Sequence, residues 1–223
     1  MITSAVIFLH GLGDSSKGWS FLSSHLSSCL PSTVFIFPDA PSSPVACNGG
    51  SPSTSWFNIA RIPLDFNEPE SPAGLTESVS NLHAIIESTM AKHNLPASKI
   101  ILGGFSQGGA MSLLAGGGFQ AKEGGGALGG VVCLSGWMLE KEKNRANWAS
   151  EAMGRCPLFV GHGECDQVVL TKLGKKAFED VREGRKESEG DTTSVLRIYE
   201  GEGHGANEAE LSEMAHFISK ILC

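Results

Sequence analysis

The stretch Ile100–Ser112, IILGGFSQGGAMS, sets three apolar residues before a cluster of glycines built around one serine. Ile100–Leu102 reads as a short buried strand, and Gln107 to about Leu114 reads as a helix of small residues. Gly104-Phe105-Ser106-Gln107-Gly108 between them fits G-x-S-x-G, the turn that exposes a nucleophilic serine between strand and helix. The pattern alone is weak, because a glycine-rich helix start matches it too. Its strand-before, helix-after context puts the hydroxyl at a helix N-terminus, where developing negative charge is favoured. The decision rests on whether a base, an acid and an oxyanion donor are also present.

Other apolar runs read as strands: Ala5–Leu9, Val34–Phe37, Val131–Leu134, Leu158–Val160 and, nearer an edge, the more mixed Ser194–Tyr199. Continuous rather than alternating apolarity suits parallel strands covered on both faces. Leu75, Val79, Leu82, Ile86 and Met90 recur at helical spacing, and Thr171–Val181 and Asn207–Leu222 are amphipathic. Strands alternating with helices imply one α/β domain over 1–223, with a mainly parallel central sheet flanked by helices. Residues 38–73, rich in Pro, Ser and Asn, read as a long loop of the kind that lines a binding site. KEGGGALGG from Lys122 reads as a flexible connection; it precedes a strand, so its match to a dinucleotide fingerprint is discounted.

A serine nucleophile needs a base, and the base an orienting acid, in the chain order serine, acid, histidine. Asp166 follows the strand Leu158–Val160, and His204 follows Ser194–Tyr199. The loops after parallel strands converge on one sheet edge. His162 is the rival base and Glu164 the rival acid; His162 lies close to its strand end and reads as structural. His25, His83, His93 and His216 fall on predicted helices and read as surface or packing residues. The GEGHGA around His204 also fits a relaxed dinucleotide pattern, but too little chain follows to complete a βαβ unit. Near the start, the strand Ala5–Leu9 runs into His10-Gly11-Leu12-Gly13-Asp14. Such a loop can turn a backbone N–H toward the nucleophile, and acyl transfer needs two donors on its oxyanion. The N–H groups of Leu12 and Gln107 take that role.

No histidine spacing marks a metal site, and a serine triad needs no cofactor. The formal charge of −7 comes without a Lys/Arg cluster, which argues against nucleic acid. The six cysteines contain no Cys-x-x-Cys pair and read as reduced thiols. The opening apolar stretch is too short for a signal-peptide core, and no run approaches a membrane span. The expectation is a soluble, cytoplasmic protein.

With these residues in place the chain resembles the acyl-protein thioesterase and lysophospholipase (carboxylesterase) family of α/β-hydrolases. FLHGLGD, FPDAP, SWFNI, GGFSQGGAMS, LSGWM, GHGECDQVV and YEGEGH carry the resemblance, in order from residue 8 to 204. It implies hydrolysis of fatty-acyl thioesters on protein cysteines, of lysophospholipids and of simple esters, which leaves room for transient contact with a membrane surface. It also implies that the loop from Pro38 helps form an acyl channel, with Trp56, Phe57, Ile62 and Leu64 as lining candidates; ordinary core packing is the alternative for these four. The chain departs from the family pattern at Ser53-Thr54, Asn58, Met138-Leu139, Leu170 and Gly205, which bears on substrate preference more than on reaction type. A short-chain carboxylesterase or deacetylase on the same fold is the alternative function. A non-enzymatic ligand receptor is disfavoured by the full set of catalytic elements.

Overall fold

The computed structural model describes residues 1–64, 71–121, 126–150, 153, 156–185 and 194–223. Its elements run β1 (Ser4–Leu9), α1 (Ser16–Trp19), α2 (Phe21–Leu26), β2 (Thr33–Ile36), β3 (Ser42–Pro44), β4 (Pro52–Thr54) and α3 (Leu75–His93). There follow β5 (Ile100–Phe105), α4 (Gln107–Gly117), β6 (Gly130–Leu134), α5 (Lys141–Trp148), β7 (Leu158–Gly163), α6 (Thr171–Arg185), β8 (Ser194–Tyr199) and α7 (Glu208–Leu222). Six strands form one sheet in the order β2-β1-β5-β6-β7-β8, and every neighbouring pair is parallel.

The unbroken apolarity of the strands follows from helices on both faces. Along β1, Ala5, Ile7 and Leu9 pack into one cluster with Leu82 and Ile86 of α3, Leu113 of α4, Trp148 of α5 and Val181 of α6. Val6 and Phe8 point the other way, into a second cluster with Leu22 and Leu26 of α2 and Met214 and Ile218 of α7. Alternation along a strand therefore chooses between two apolar layers rather than between core and water.

The strand order reverses direction between β1 and β5, with Leu9 opposite Gly104. Open parallel sheets form their ligand crevice at such a point, beyond the carboxyl ends of the strands. The loop after β1 and the serine turn after β5 therefore emerge side by side.

The structure moves several boundaries. β2 sits one residue earlier than the apolar run, β5 continues to Phe105, and β7 continues through His162 and Gly163. β8 is an edge strand, as its mixed pattern indicates. α4 extends through Gly116 and Gly117 because it is buried along its whole length and Trp148 lies against Gly117. Stretch 38–73 is not all loop: β3 and β4 form an antiparallel hairpin within it. Positions 65–70 of that stretch, and 122–125 of the glycine-rich connection, lie outside the described residues. α2 is the helix expected around His25, whereas the small or polar helices α1 and α5 carry too little periodic apolarity to be read from sequence.

At the turn from β5 to α4, a Cβ on Gly104 would collide with the Gly108 backbone. One on Gly108 would collide with the Leu9 and His10 carbonyls of the neighbouring strand. Backbone cannot yield as a flexible side chain does. Gly108→Ala is expected to cost about 1–3 kcal/mol, the usual range for overpacking, and a thermal melt should show the midpoint falling by several degrees.

Candidate active site

Ser106 caps α4 with φ 56° and ψ −118°, a backbone conformation rare for a residue with a Cβ. Such strain persists only where the surroundings over-determine it. Here the Ser106 N–H donates to Leu134 O of β6 at 2.8 Å, and the Ser106 carbonyl accepts from Ala110 N at 3.0 Å. The next strand is stitched the same way, Ser135 N–H donating to Gly161 O of β7 at 2.8 Å. The carboxyl ends of β5, β6 and β7 are thus tied together where the serine stands.

His204 Nε2 lies 2.9 Å from Ser106 Oγ, and His204 Nδ1 lies 2.7 Å from Asp166 Oδ2. The loops carrying Asp166 and His204 approach closely enough for Cys165 N–H to donate to Glu202 O at 2.7 Å. Gly163 permits this, since a Cβ there would strike the Glu202 and Gly203 carbonyls. The Phe105 ring stacks at 4.9 Å from the His204 ring, tilted by 43°. An imidazole held between a hydroxyl and a carboxylate in this way can take the hydroxyl proton and share the resulting charge with the acid.

Asp166 is surrounded by donors. Its Oδ1 accepts from Val168 N at 2.8 Å and Val169 N at 2.9 Å, and its Oδ2 faces His162 Nε2 at 3.2 Å as well as His204. Burial acts to raise its pKa, but the hydrogen bonds from His162 and His204, the charge of His204 and the Val168 N–H outweigh it. The carboxyl is held well below the usual range and stays ionised.

The rivals are placed elsewhere. His162 is fully buried, and its Nε2–H points to Val169 O at 2.8 Å and to Asp166, so it backs Asp166 instead of facing Ser106. Glu164 is exposed, and its carboxylate accepts from Gly201 N–H at 3.2 Å, bracing the histidine loop. Of the other histidines, His83 gives a ring nitrogen to Ala115 O at 2.8 Å, a packing role.

The loop after β1 runs beside the serine: a Cβ on Gly11 would lie 3.4 Å from Ser106 Cβ. Among the described residues, neither Leu12 N–H nor Gln107 N–H donates to a protein acceptor. The sequence pattern assigns Gln107 only its N–H, but its buried side chain is also hydrogen-bonded. Oε1 accepts from Trp56 N–H at 3.0 Å, while Nε2 donates to Phe57 O at 2.7 Å and Ser55 Oγ at 3.0 Å. The serine turn is thereby clamped to the 55–57 segment. Nothing in the spacing announces it, because the partners lie about fifty residues away in sequence.

The four lining candidates separate. Trp56 donates its indole N–H to His10 O at 2.9 Å, beneath the loop after β1, and with Phe57 lines a cleft of about 580 Å³ between the β3–β4 hairpin and the start of α3. Phe57 and Leu64 line a cleft with Ile59, Pro72, Trp137 and Leu139 whose free volume is about 10 Å³, room for one water. Ile62 is 47% exposed and not part of that cleft. Leu64 N–H donates to Val168 O at 2.8 Å, which ties the cleft to the loop of the acid. Asn58 accepts from Ala46 N–H at 2.8 Å through Oδ1, a bond an aspartate would also make. Among the described residues no cluster of His, Cys, Asp or Glu is arranged to hold a metal ion.

Residues 2–222 match the model of the phospholipase/carboxylesterase family. The chain is similar to acyl-protein thioesterase 1 of Debaryomyces hansenii, 36% identical over 98% of this chain and 91% of that protein. It is 34% identical to acyl-protein thioesterase 1 of Saccharomyces cerevisiae, over 97% of this chain and 92% of that one. Among solved structures it resembles Arabidopsis thaliana SOBER1, with a TM-score of 0.87 at 29% identity, over 99% and 100% of the two chains. Zea mays acyl-protein thioesterase 2 aligns with a TM-score of 0.79 at 28% identity, over 100% of this chain and 95% of that one.

Behind the His204 loop, Asn207 caps α7 by accepting the Glu210 N–H at 2.8 Å. The Glu210 side chain is buried, and its Oε1 has no partner among the described residues. Burial, then the charges of Glu202 and Glu213, push its pKa up to about 8. Because the folded state holds this proton more tightly than the unfolded chain, the stabilisation is complete below the ordinary glutamate pKa. It drains away as pH rises toward 8. Glu210→Gln removes that loss: its melting midpoint relative to the parent should climb between pH 5 and pH 8, and a pH-independent difference would contradict the assignment.

Proposed function

Because the chain belongs to the phospholipase/carboxylesterase family of α/β-hydrolases, we propose that it is a serine hydrolase of acyl thioesters and esters, acting foremost as a depalmitoylating acyl-protein thioesterase. The observation that carries this reading is the unbroken contact from Ser106 Oγ through the His204 ring to Asp166.

In the mechanism, His204 Nε2 takes the proton of Ser106 as Oγ attacks the acyl carbonyl carbon. Asp166, already ionised, holds the Nδ1–H and balances the imidazolium. The Leu12 and Gln107 N–H groups receive the oxyanion, a service worth about two to three orders of magnitude in rate per donor. Collapse of the tetrahedral intermediate breaks the bond to sulfur or oxygen, and His204 gives its proton to the leaving atom, which restores the neutral imidazole. Water, deprotonated by the same histidine, attacks the acyl-serine, and a second collapse releases the carboxylic acid and restores Ser106.

The substrates in this reading are S-acylated proteins, with lysophospholipids and simple carboxylic esters as further acyl donors. The cytoplasm is the compartment in this reading, and contact with a membrane surface would be transient. No helix among the described residues is long and apolar enough to cross a membrane.

The second reading is a short-chain carboxylesterase on the same fold. Hydrolysis of 4-nitrophenyl esters from acetate to palmitate separates the two. A kcat/KM that climbs with chain length supports the thioesterase, and one that collapses beyond butyrate supports the short-chain enzyme. Ser106→Ala should lower either activity by about four orders of magnitude or more and abolish fluorophosphonate labelling; full labelling of the variant would rule out Ser106 as nucleophile.

A further inference from the structure

His10 touches neither Ser106 nor any triad member in its hydrogen bonding, yet it is 1% exposed and both ring nitrogens are engaged. Ala40 N–H lies 3.0 Å from Nε2. A backbone N–H can only donate, so Nε2 is the unprotonated nitrogen and the ring proton sits on Nδ1. Nδ1 lies 2.7 Å from Gly11 O, which makes that contact a donated hydrogen bond. The same carbonyl also accepts from Asp14 N–H at 3.3 Å, closing a turn.

The Gly11 carbonyl and the Leu12 N–H belong to one peptide unit. In a trans peptide the two point in opposite directions. Holding the carbonyl toward His10 therefore turns the Leu12 N–H to the other side of the loop. That N–H has no protein acceptor among the described residues, and the loop lies close enough to the serine that a Cβ on Gly11 would stand 3.4 Å from Ser106 Cβ. The next unit is fixed separately, Gly13 N–H donating to Thr54 O at 2.8 Å. The His10 ring is itself held from below by Trp56, whose ring centroid lies 5.4 Å away and whose indole N–H binds the His10 carbonyl.

We propose that His10 is a positioning residue: its Nδ1–H fixes the Gly11–Leu12 peptide so that Leu12 N–H is pre-aimed at the oxyanion of the transition state. The inference rests on the oxyanion role proposed for Leu12. A flippable peptide would have to reorient during each turnover, which forfeits the advantage of a preorganised donor. Because the oxyanion exists only in the transition state, loss of aim lowers kcat and leaves KM nearly unchanged.

Two substitutions divide the two ring contacts. His10→Asn keeps a donor near the Nδ1 position and loses the acceptor for Ala40; His10→Gln does the reverse. His10→Ala, which keeps neither, sets the scale. With a 4-nitrophenyl ester, Gln should lose about 10- to 100-fold in kcat with KM within about twofold, and Asn should recover most of the Ala loss. The Ki of an aliphatic trifluoromethyl ketone, whose serine adduct carries an oxyanion, should rise in the same order. Equal losses in Asn and Gln, recovery by Gln in place of Asn, or a loss confined to KM would overturn the proposal. If Ser106→Ala keeps its activity, the parent reading fails whatever the His10 series shows. If Ser106 is essential and the Asn–Gln order is absent, only the role of His10 fails.

Discussion

Ser106 is held at φ 56° and ψ −118°, and the room for that conformation comes from its neighbours. Gly104 and Gly108 must lack side chains because the turn closes against itself and against the carbonyls of β1. Leu134 of β6 holds the Ser106 N–H, and α4 starts at once behind it. The conformation leaves the hydroxyl standing above the sheet edge with the first N–H of a buried helix beside it. Everything else in the site is arranged around that fixed point: the loop after β1 at the reversal of strand order, and Asp166 and His204 on the loops after β7 and β8.

A second tier of contacts fixes the groups that meet the serine. Asp166 is saturated by the N–H groups of Val168 and Val169 and by two imidazoles, so neither its charge nor its orientation is free. The Gln107 amide clamps the 55–57 segment, Trp56 of that segment supports His10, and His10 sets the peptide that ends in Leu12. The two N–H groups read as oxyanion donors therefore belong to one connected hydrogen-bonded unit. Leu64, through Val168, joins the wall of the apolar cleft to the loop that carries Asp166.

Most of the sheet was legible because burial on both faces leaves uninterrupted apolar runs; Ser106 and Asp166 each follow such a run at a strand's carboxyl end, and His204 follows the more mixed edge strand β8. What escaped was set by contacts between distant segments. Gln107 gives no local sign that its amide reaches Ser55–Phe57, and His10 reads as one letter of a glycine turn until Ala40 appears at its Nε2. The extension of β7 through His162 depends on pairing with β8, which periodicity in one segment does not carry. The β3–β4 hairpin was masked by Pro, Ser and Gly, which read as loop whenever the partner strand is unknown. Trp56, Phe57, Ile62 and Leu64 look alike as apolar letters, yet Trp56 braces a loop and shares one cleft with Phe57, Leu64 shares another with Phe57, and Ile62 is exposed.

The account stands or falls on a covalent acyl-serine. Mixing the protein with a 4-nitrophenyl acyl ester, quenching in acid within milliseconds and mapping the peptides by mass spectrometry tests it most directly. The account predicts a transient mass increase of one acyl group on the peptide containing Ser106, appearing with the burst of nitrophenol and absent in Ser106→Ala. A burst accompanied by acylation of another residue, such as the exposed Cys165 beside Asp166, would contradict it.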